Sequence, residues 1–108
     1  MTTFPMLLDA PTALARLQDG SATLVDVREH AVVARAAFDA PNVVQMPLSE
    51  FERRHRELPL DREVILACAT GARSFQAMQY LVHHGWRKVA NLQGGLAVWR
   101  THGLPTKH

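Results

Sequence analysis

The sequence predicts an α/β domain whose sheet is mainly parallel and covered by helices on both faces. Three observations carry the prediction. Short apolar runs alternate with helical patterns almost from end to end. Runs such as Thr23-Leu24-Val25-Asp26-Val27 and Val64-Ile65-Leu66-Ala67 are nearly continuous in apolar residues, as strands are when both faces are buried. The chain has 108 residues, 47% of them apolar, which is enough for one hydrophobic core and leaves no room for a second. Residues 1–108 are therefore expected to form a single domain.

Each element has a local reason. Phe4 to Leu8 is short and apolar, and Pro5 lacks a ladder donor, so this segment is expected at a sheet edge or a strand start. Asp9 is placed to cap a helix beginning at Ala10-Pro11, with proline where its missing N–H costs nothing. Ala10, Leu14 and Leu17 give that helix its apolar face, and Asp19-Gly20 stops it. Thr23 to Val27 is a buried strand, with Arg28 and Glu29 leaving its C-terminal end. His30 to Ala37 reads as a short helix, and Asp39-Ala40-Pro41-Asn42 as a turn. Val43 to Met46 is a short strand ended by Pro47. Ser49 is expected to cap a helix from Glu50 to Leu58, with Glu52 as its capping-box partner and Pro59 as its end. Glu63 to Ala67 is the next strand. Phe75, Met78, Leu81 and Val82 are expected to form the apolar face of a helix that stops at Gly85. Val89 to Leu92 is a fifth strand, and Gly94-Gly95 turns tightly into a last helix from Leu96 to His102.

Composition narrows the function. The net charge is +2 and the densest basic run is Arg53-Arg54-His55-Arg56, which reads as the solvated face of a helix. Neither nucleic acid nor a membrane surface is an expected partner. No apolar stretch is long enough to span a membrane, and the N-terminal residues lack the pattern of a secretory signal. One unpaired cysteine suits a reducing compartment, so the cytoplasm is the expected location. The six histidines are scattered, and the one adjacent pair, His83-His84, has no metal-ligand spacing with the cysteine. No metal and no cofactor is assigned.

The chemistry centres on Cys68-Ala69-Thr70-Gly71-Ala72-Arg73-Ser74, between a buried strand and a helix. In such a turn, backbone N–H groups converge on one spot and bind negative charge. The following helix adds unpaired N–H groups and the positive end of its dipole. A cysteine so placed is expected to have a lowered pKa and to be largely thiolate at neutral pH. The alternative is a small buried hydrophobe, the common role of a lone cysteine. Gly71, Arg73 and Ser74 around a strand-to-helix junction favour the reactive reading. Ligands of parallel sheets bind beyond the carboxyl ends of strands, where Cys68 stands and where Arg28 leaves another strand.

Several separated motifs together resemble those of single-domain rhodaneses, the thiosulfate sulfurtransferase-like family. They are Leu24-Val25-Asp26-Val27-Arg28-Glu29, Gln45-Met46-Pro47-Leu48, the loop from Cys68 to Ser74, His84-Gly85-Trp86 with Val89, and Leu92-Gln93-Gly94-Gly95 with Trp99. One segment departs from the pattern. Family members carry a His-Ile-Pro-Gly-Ala-like stretch where this chain reads Phe38-Asp39-Ala40-Pro41-Asn42-Val43. The resemblance implies a rhodanese-like fold with a five-stranded, mainly parallel sheet flanked by helices on both faces.

It also implies a reaction. Cys68 takes the outer sulfur of a small-molecule donor such as thiosulfate, holds it as a persulfide, and passes it to cyanide or a thiol, including a thiol-bearing protein. N–H groups of Ala69, Thr70, Gly71, Ala72 and Arg73 would hold the anionic sulfur. Arg73 would bind the donor's oxygens or form a structural ion pair. Ser74 would donate to the thiolate or cap the helix. Asp26 and Arg28 lie near the site by topology, and the favoured reading is a buried ion pair that fixes the loop. Trp86 and Trp99 read as core. The rival readings are a non-catalytic interaction or regulatory module and, less well supported, a cysteine phosphatase or arsenate reductase. The phosphatase loop is one residue longer between Cys and Arg than the Ala69-Thr70-Gly71-Ala72 seen here.

Overall fold

Alternation of side chains along parallel strands splits the core into two layers. In a computed structural model of the chain, which describes residues 6–108, strands β1 (Met6–Leu8), β2 (Ala22–Asp26), β4 (Val43–Gln45), β5 (Glu63–Ala67) and β6 (Val89–Leu92) form one sheet. Its order is β1-β6-β5-β2-β4, and every pairing is parallel. Helices α1 (Ala10–Gln18), α2 (His30–Val33), α3 (Leu48–Arg54), α4 (Ala72–His83) and α5 (Gly95–Thr101) connect the strands. Leu24, Ile65 and Ala67 face α1 and α5, where Ala13, Leu17, Leu96 and Trp99 complete one layer. Val25, Val64, Leu66 and Cys68 face α3 and α4, where Phe51, Ala77, Met78 and Leu81 complete the other. All five residues of β2 are buried, as a central strand of a two-sided sheet requires.

Local signals are realised where the pattern was strong. Asp9 caps α1, its carboxylate accepting from the Thr12 N–H at 2.8 Å. The bounds of β5 and β6 are those expected. β1 is an edge strand, while Phe4 and Pro5 lie outside the described residues. Trp99 is fully buried, edge-on to Phe38 at 5.0 Å, and donates its indole N–H to the Pro105 carbonyl at 2.8 Å.

Other expectations need correction. Ser49 is not a helix cap. α3 begins at Leu48 after Pro47, and Ser49 instead donates its hydroxyl to Glu29 at 2.8 Å. The carboxylate across the loop outcompetes the local capping bond because it carries a full charge. α3 ends at Arg54 and continues as a 3₁₀ turn, His55–Glu57, rather than as α-helix to Leu58. Phe75 and Val82 do not join the buried face of α4. They are 41% and 39% exposed, and Ser74, Ala77, Met78 and Leu81 face the sheet. The segment expected as helix from His30 to Ala37 is helical only to Val33. Its end, β3 (Ala37–Phe38), pairs antiparallel with β7 (Thr106–Lys107), a strand pair the sequence pattern did not suggest. In the atypical segment, Asn42 follows Pro41 where the resembled pattern has glycine. Asn42 takes a left-handed φ of 61°, and its amide donates to the Leu17 carbonyl at 2.9 Å. Asparagine tolerates that conformation better than other non-glycine residues, so the turn survives the exchange.

Candidate active site

β5 ends at Ala67, and the next residue, Cys68, begins a turn that wraps its own side chain. Gly71 has φ 103°, a left-handed value that side-chain-bearing residues resist, and this reversal turns the chain into α4. The result is a seat for sulfur. Cys68 Sγ accepts from the Gly71 N–H at 3.0 Å and the Ser74 N–H at 3.4 Å, and the Ser74 Oγ stands 3.3 Å away. Burial raises the pKa of the thiol. Hydrogen bonds from the turn, including those of the Ser74, Thr70 and Gly71 N–H groups, lower it and prevail, so the pKa lies below that of an ordinary thiol.

Cys68 is 3% exposed and lies at the base of a cavity of about 350 Å³. Arg28, Glu29, Val32, Ala69, Thr70, Ala72 and Arg73 line its walls. A larger depression, about 490 Å³, opens at the opposite, N-terminal edge of the sheet, where Arg16, Glu63 and Lys88 lie. It contains no thiol, and Arg16 is already bonded to Glu63 at 2.8 Å.

The two arginines at the cavity differ. Arg28 is committed to Asp26 through Nε at 3.0 Å and Nη2 at 2.7 Å, and both residues are buried. Its backbone N–H also reaches Asp26, at 3.1 Å, so the pair closes the turn that leaves β2. The guanidinium carbon lies 5.6 Å from the centre of the Phe38 ring. Arg73 is exposed on the first turn of α4 and makes no ion pair among the described residues. Its planar fork is free to meet an oxyanion in the cavity.

The sequence pointed to Cys68, the loop after it, Asp26 and Arg28, and the fold brings these to one edge. It did not point to Glu29 or Val32 as cavity walls, nor to Asn91, which reaches the loop from β6. Asn91 had one signal, a polar residue inside the buried run Val89-Ala90-Asn91-Leu92. Among the described residues no group of three or more His, Cys, Asp or Glu is arranged to hold a metal ion, and no helix is long and apolar enough to cross a membrane.

A sequence model of the Rhodanese-like domain matches residues 9–102, a stretch that includes Asp26, Arg28 and the whole loop from Cys68 to Ser74. The chain belongs to the rhodanese-like family. It is similar to a sulfurtransferase of Allochromatium vinosum, 39% identical over 99 residues and covering 91% of each chain. The thiosulfate sulfurtransferase GlpE of Pseudomonas fluorescens is 34% identical over 92 residues, covering 84% of this chain and 82% of that one. The crystal structure of a rhodanese-related protein from Thermoplasma volcanium matches 94% of this chain and 97% of its own, with TM-score 0.83 at 24% identity. At that identity the likeness shows the fold alone, and the fold is rhodanese-like.

Proposed function

We propose that this rhodanese-like domain is a sulfurtransferase that carries a sulfane sulfur as a persulfide on Cys68. The observation that carries the proposal is the sulfur seat. One thiol, at the base of a cavity, accepts N–H bonds at 3.0 and 3.4 Å from the turn that follows it. Such a seat stabilises an anionic sulfur in water-poor surroundings without reorganising. The naming of relatives as sulfurtransferases supports the same reading.

In the first half-reaction the Cys68 thiolate attacks the outer sulfur of a thiosulfate-like donor. A Cys68–sulfur bond forms, the donor's sulfur–sulfur bond breaks, and sulfite leaves with the electron pair. Arg73 binds the donor's anionic oxygens, and the loop from Ala69 to Ser74 holds the charge on the persulfide. In the second half-reaction a nucleophile, cyanide or a thiol, attacks the terminal sulfur, and the Cys68 thiolate leaves. The chain contains one cysteine, so no second thiol of its own can resolve the persulfide. The acceptor is external, and a thiol-bearing protein fits the role. Asp26 and Arg28 support the loop and do not touch the reacting atoms. A single reactive thiol and a persulfide intermediate suit a reducing compartment, such as the cytoplasm.

The test is intact mass before and after thiosulfate, on the native protein and on Cys68→Ser. A gain of one sulfur atom, reversed by cyanide and absent from the variant, is expected. A gain in Cys68→Ser would place the carrier elsewhere. No gain, with a thiol that resists alkylation, would favour a non-catalytic interaction module.

A further inference from the structure

Asn91 lies on β6 beside Leu66 of β5 and is 3% exposed. Two side-chain hydrogen bonds join it to the loop of Cys68. Its Nδ2 donates to the Gly71 carbonyl at 2.9 Å, and its Oδ1 lies 2.5 Å from Ser74 Oγ. The first bond fixes the amide. A carbonyl only accepts, so the nitrogen must face Gly71, and the oxygen then faces Ser74. The 2.5 Å separation agrees, because it suits O–H···O and is short for N–H···O.

Ser74 has one hydroxyl proton and three acceptors in reach. They are Asn91 Oδ1 at 2.5 Å, the Gly71 carbonyl at 3.2 Å and Cys68 Sγ at 3.3 Å. The shortest contact takes the proton. We propose that Asn91 is a positioning residue for the nucleophile: it withdraws the Ser74 proton from Cys68 and pins the Gly71 carbonyl, leaving the sulfur to backbone N–H groups. The consequence is chemical. A thiolate relieved of one donor is less acidic but more nucleophilic, since nucleophilicity falls with pKa. The seat stays rigid because Asn91 holds both ends of the turn, Gly71 and Ser74.

The inference rests on the reading of Cys68 as the nucleophile, and the test separates the two. The rate of Cys68 alkylation by iodoacetamide is followed against pH, with folding checked by circular dichroism. The charged groups at the cavity, Arg28 with its partner Asp26, Glu29 and Arg73, are unchanged in every variant. In Asn91→Ala the Ser74 proton turns to the charged sulfur, a stronger acceptor than the Gly71 carbonyl. The alkylation midpoint is expected to fall by about one pH unit. Adding Ser74→Ala to Asn91→Ala is expected to abolish that fall. A midpoint that rises or stays put in folded Asn91→Ala overturns the proposal. If Asn91→Ala does not fold, Ser74→Ala alone decides. A midpoint near that of the native protein supports the proposal, and a rise of about one unit shows that the proton was on sulfur and overturns it. Failure of the underlying reading looks different: the native thiol titrates as an ordinary one and gains no sulfur from thiosulfate, and both readings then fall together.

Discussion

The backbone of Gly95 lies against the carbonyl of Cys68, close enough that a Cβ there would overlap it and come within 2.7 Å of the Ala69 carbonyl carbon. The contact has a partner in hydrogen bonding. Leu96 N–H donates to the Cys68 carbonyl at 2.9 Å, and Ala97 N–H donates to the Ala69 carbonyl at 3.0 Å. These N–H groups, in the first turn of α5, have no partner within their own helix. The loop therefore presents its N–H groups to the sulfur on one side and its carbonyls to a helix start on the other. The Cys68 and Ala69 carbonyls are thus satisfied by the helix start, on the side away from the sulfur.

Gly95→Ala should break this arrangement. The residue sits at φ 58°, and the atoms it would meet are backbone, which cannot rotate away. A loss of about 3 kcal/mol in stability is expected. Urea unfolding measures it, and sulfur loading from thiosulfate should slow because the loop must shift. Full stability in the Gly95→Ala variant would show that the loop yields easily.

Asp26→Asn should leave the Arg28 guanidinium buried without its counter-charge. Removing one partner of a buried pair costs about 3–5 kcal/mol, far more than the intact pair contributes over an apolar replacement. The unfolding midpoint in urea should drop accordingly. A drop under about 1 kcal/mol would mean that Arg28 finds water or another acceptor.

Arg73→Ala should slow sulfur loading by about 10- to 100-fold, the worth of a charge-assisted bond to the donor's oxygens. The discharge step to cyanide should slow less, because sulfite has already left. Single-turnover kinetics of the two steps would separate them. Arg73 is exposed and unpaired among the described residues, so stability should change by less than about 0.5 kcal/mol. Equal slowing of both steps would point to a structural role.

The lowered pKa of Cys68 sets a pH dependence in two measurements. Sulfur loading should rise with pH and level off below the range in which ordinary thiols ionise. The folded-state pKa lies below that of the unfolded chain, so the folded protein holds the thiolate more tightly. This stability is fully present above the unfolded thiol's pKa and is lost as pH falls through the folded value. Urea unfolding across that window, compared with Cys68→Ala, should show the difference disappear on the acid side. The same slope in the variant would mean that other groups carry it.

Two carboxylates show why part of the site could not be read from local pattern. Ser49 and Glu52 have the spacing of a capping box, yet Ser49 bonds Glu29, twenty positions earlier in the chain. Phe75 has helical spacing with Met78, yet it faces outward, because α4 begins at Ala72 and turns Ser74, Ala77 and Met78 toward the sheet. Periodicity fixes which residues share a face only when the phase of the helix is known, and a neighbour at long range sets that phase. β3 and β7 are two residues each, too short for any period, and Phe38 of β3 packs edge-on against Trp99 from far along the chain.

The amino-acid sequence by itself determined the succession of the five strands of the main sheet and the five helices, the buried character of β2 and β5, and the turn of Cys68 with its glycine. These follow from residue type and spacing over a few positions, where propensity and backbone sterics decide. The tertiary structure decided which groups meet across the sheet: Asn91 with Gly71 and Ser74, and Gly95 with Cys68. Those contacts depend on strand order and register, which are set by how both faces of the sheet fill at once. No short stretch of the chain encodes that filling, because each face takes residues from elements far apart in sequence.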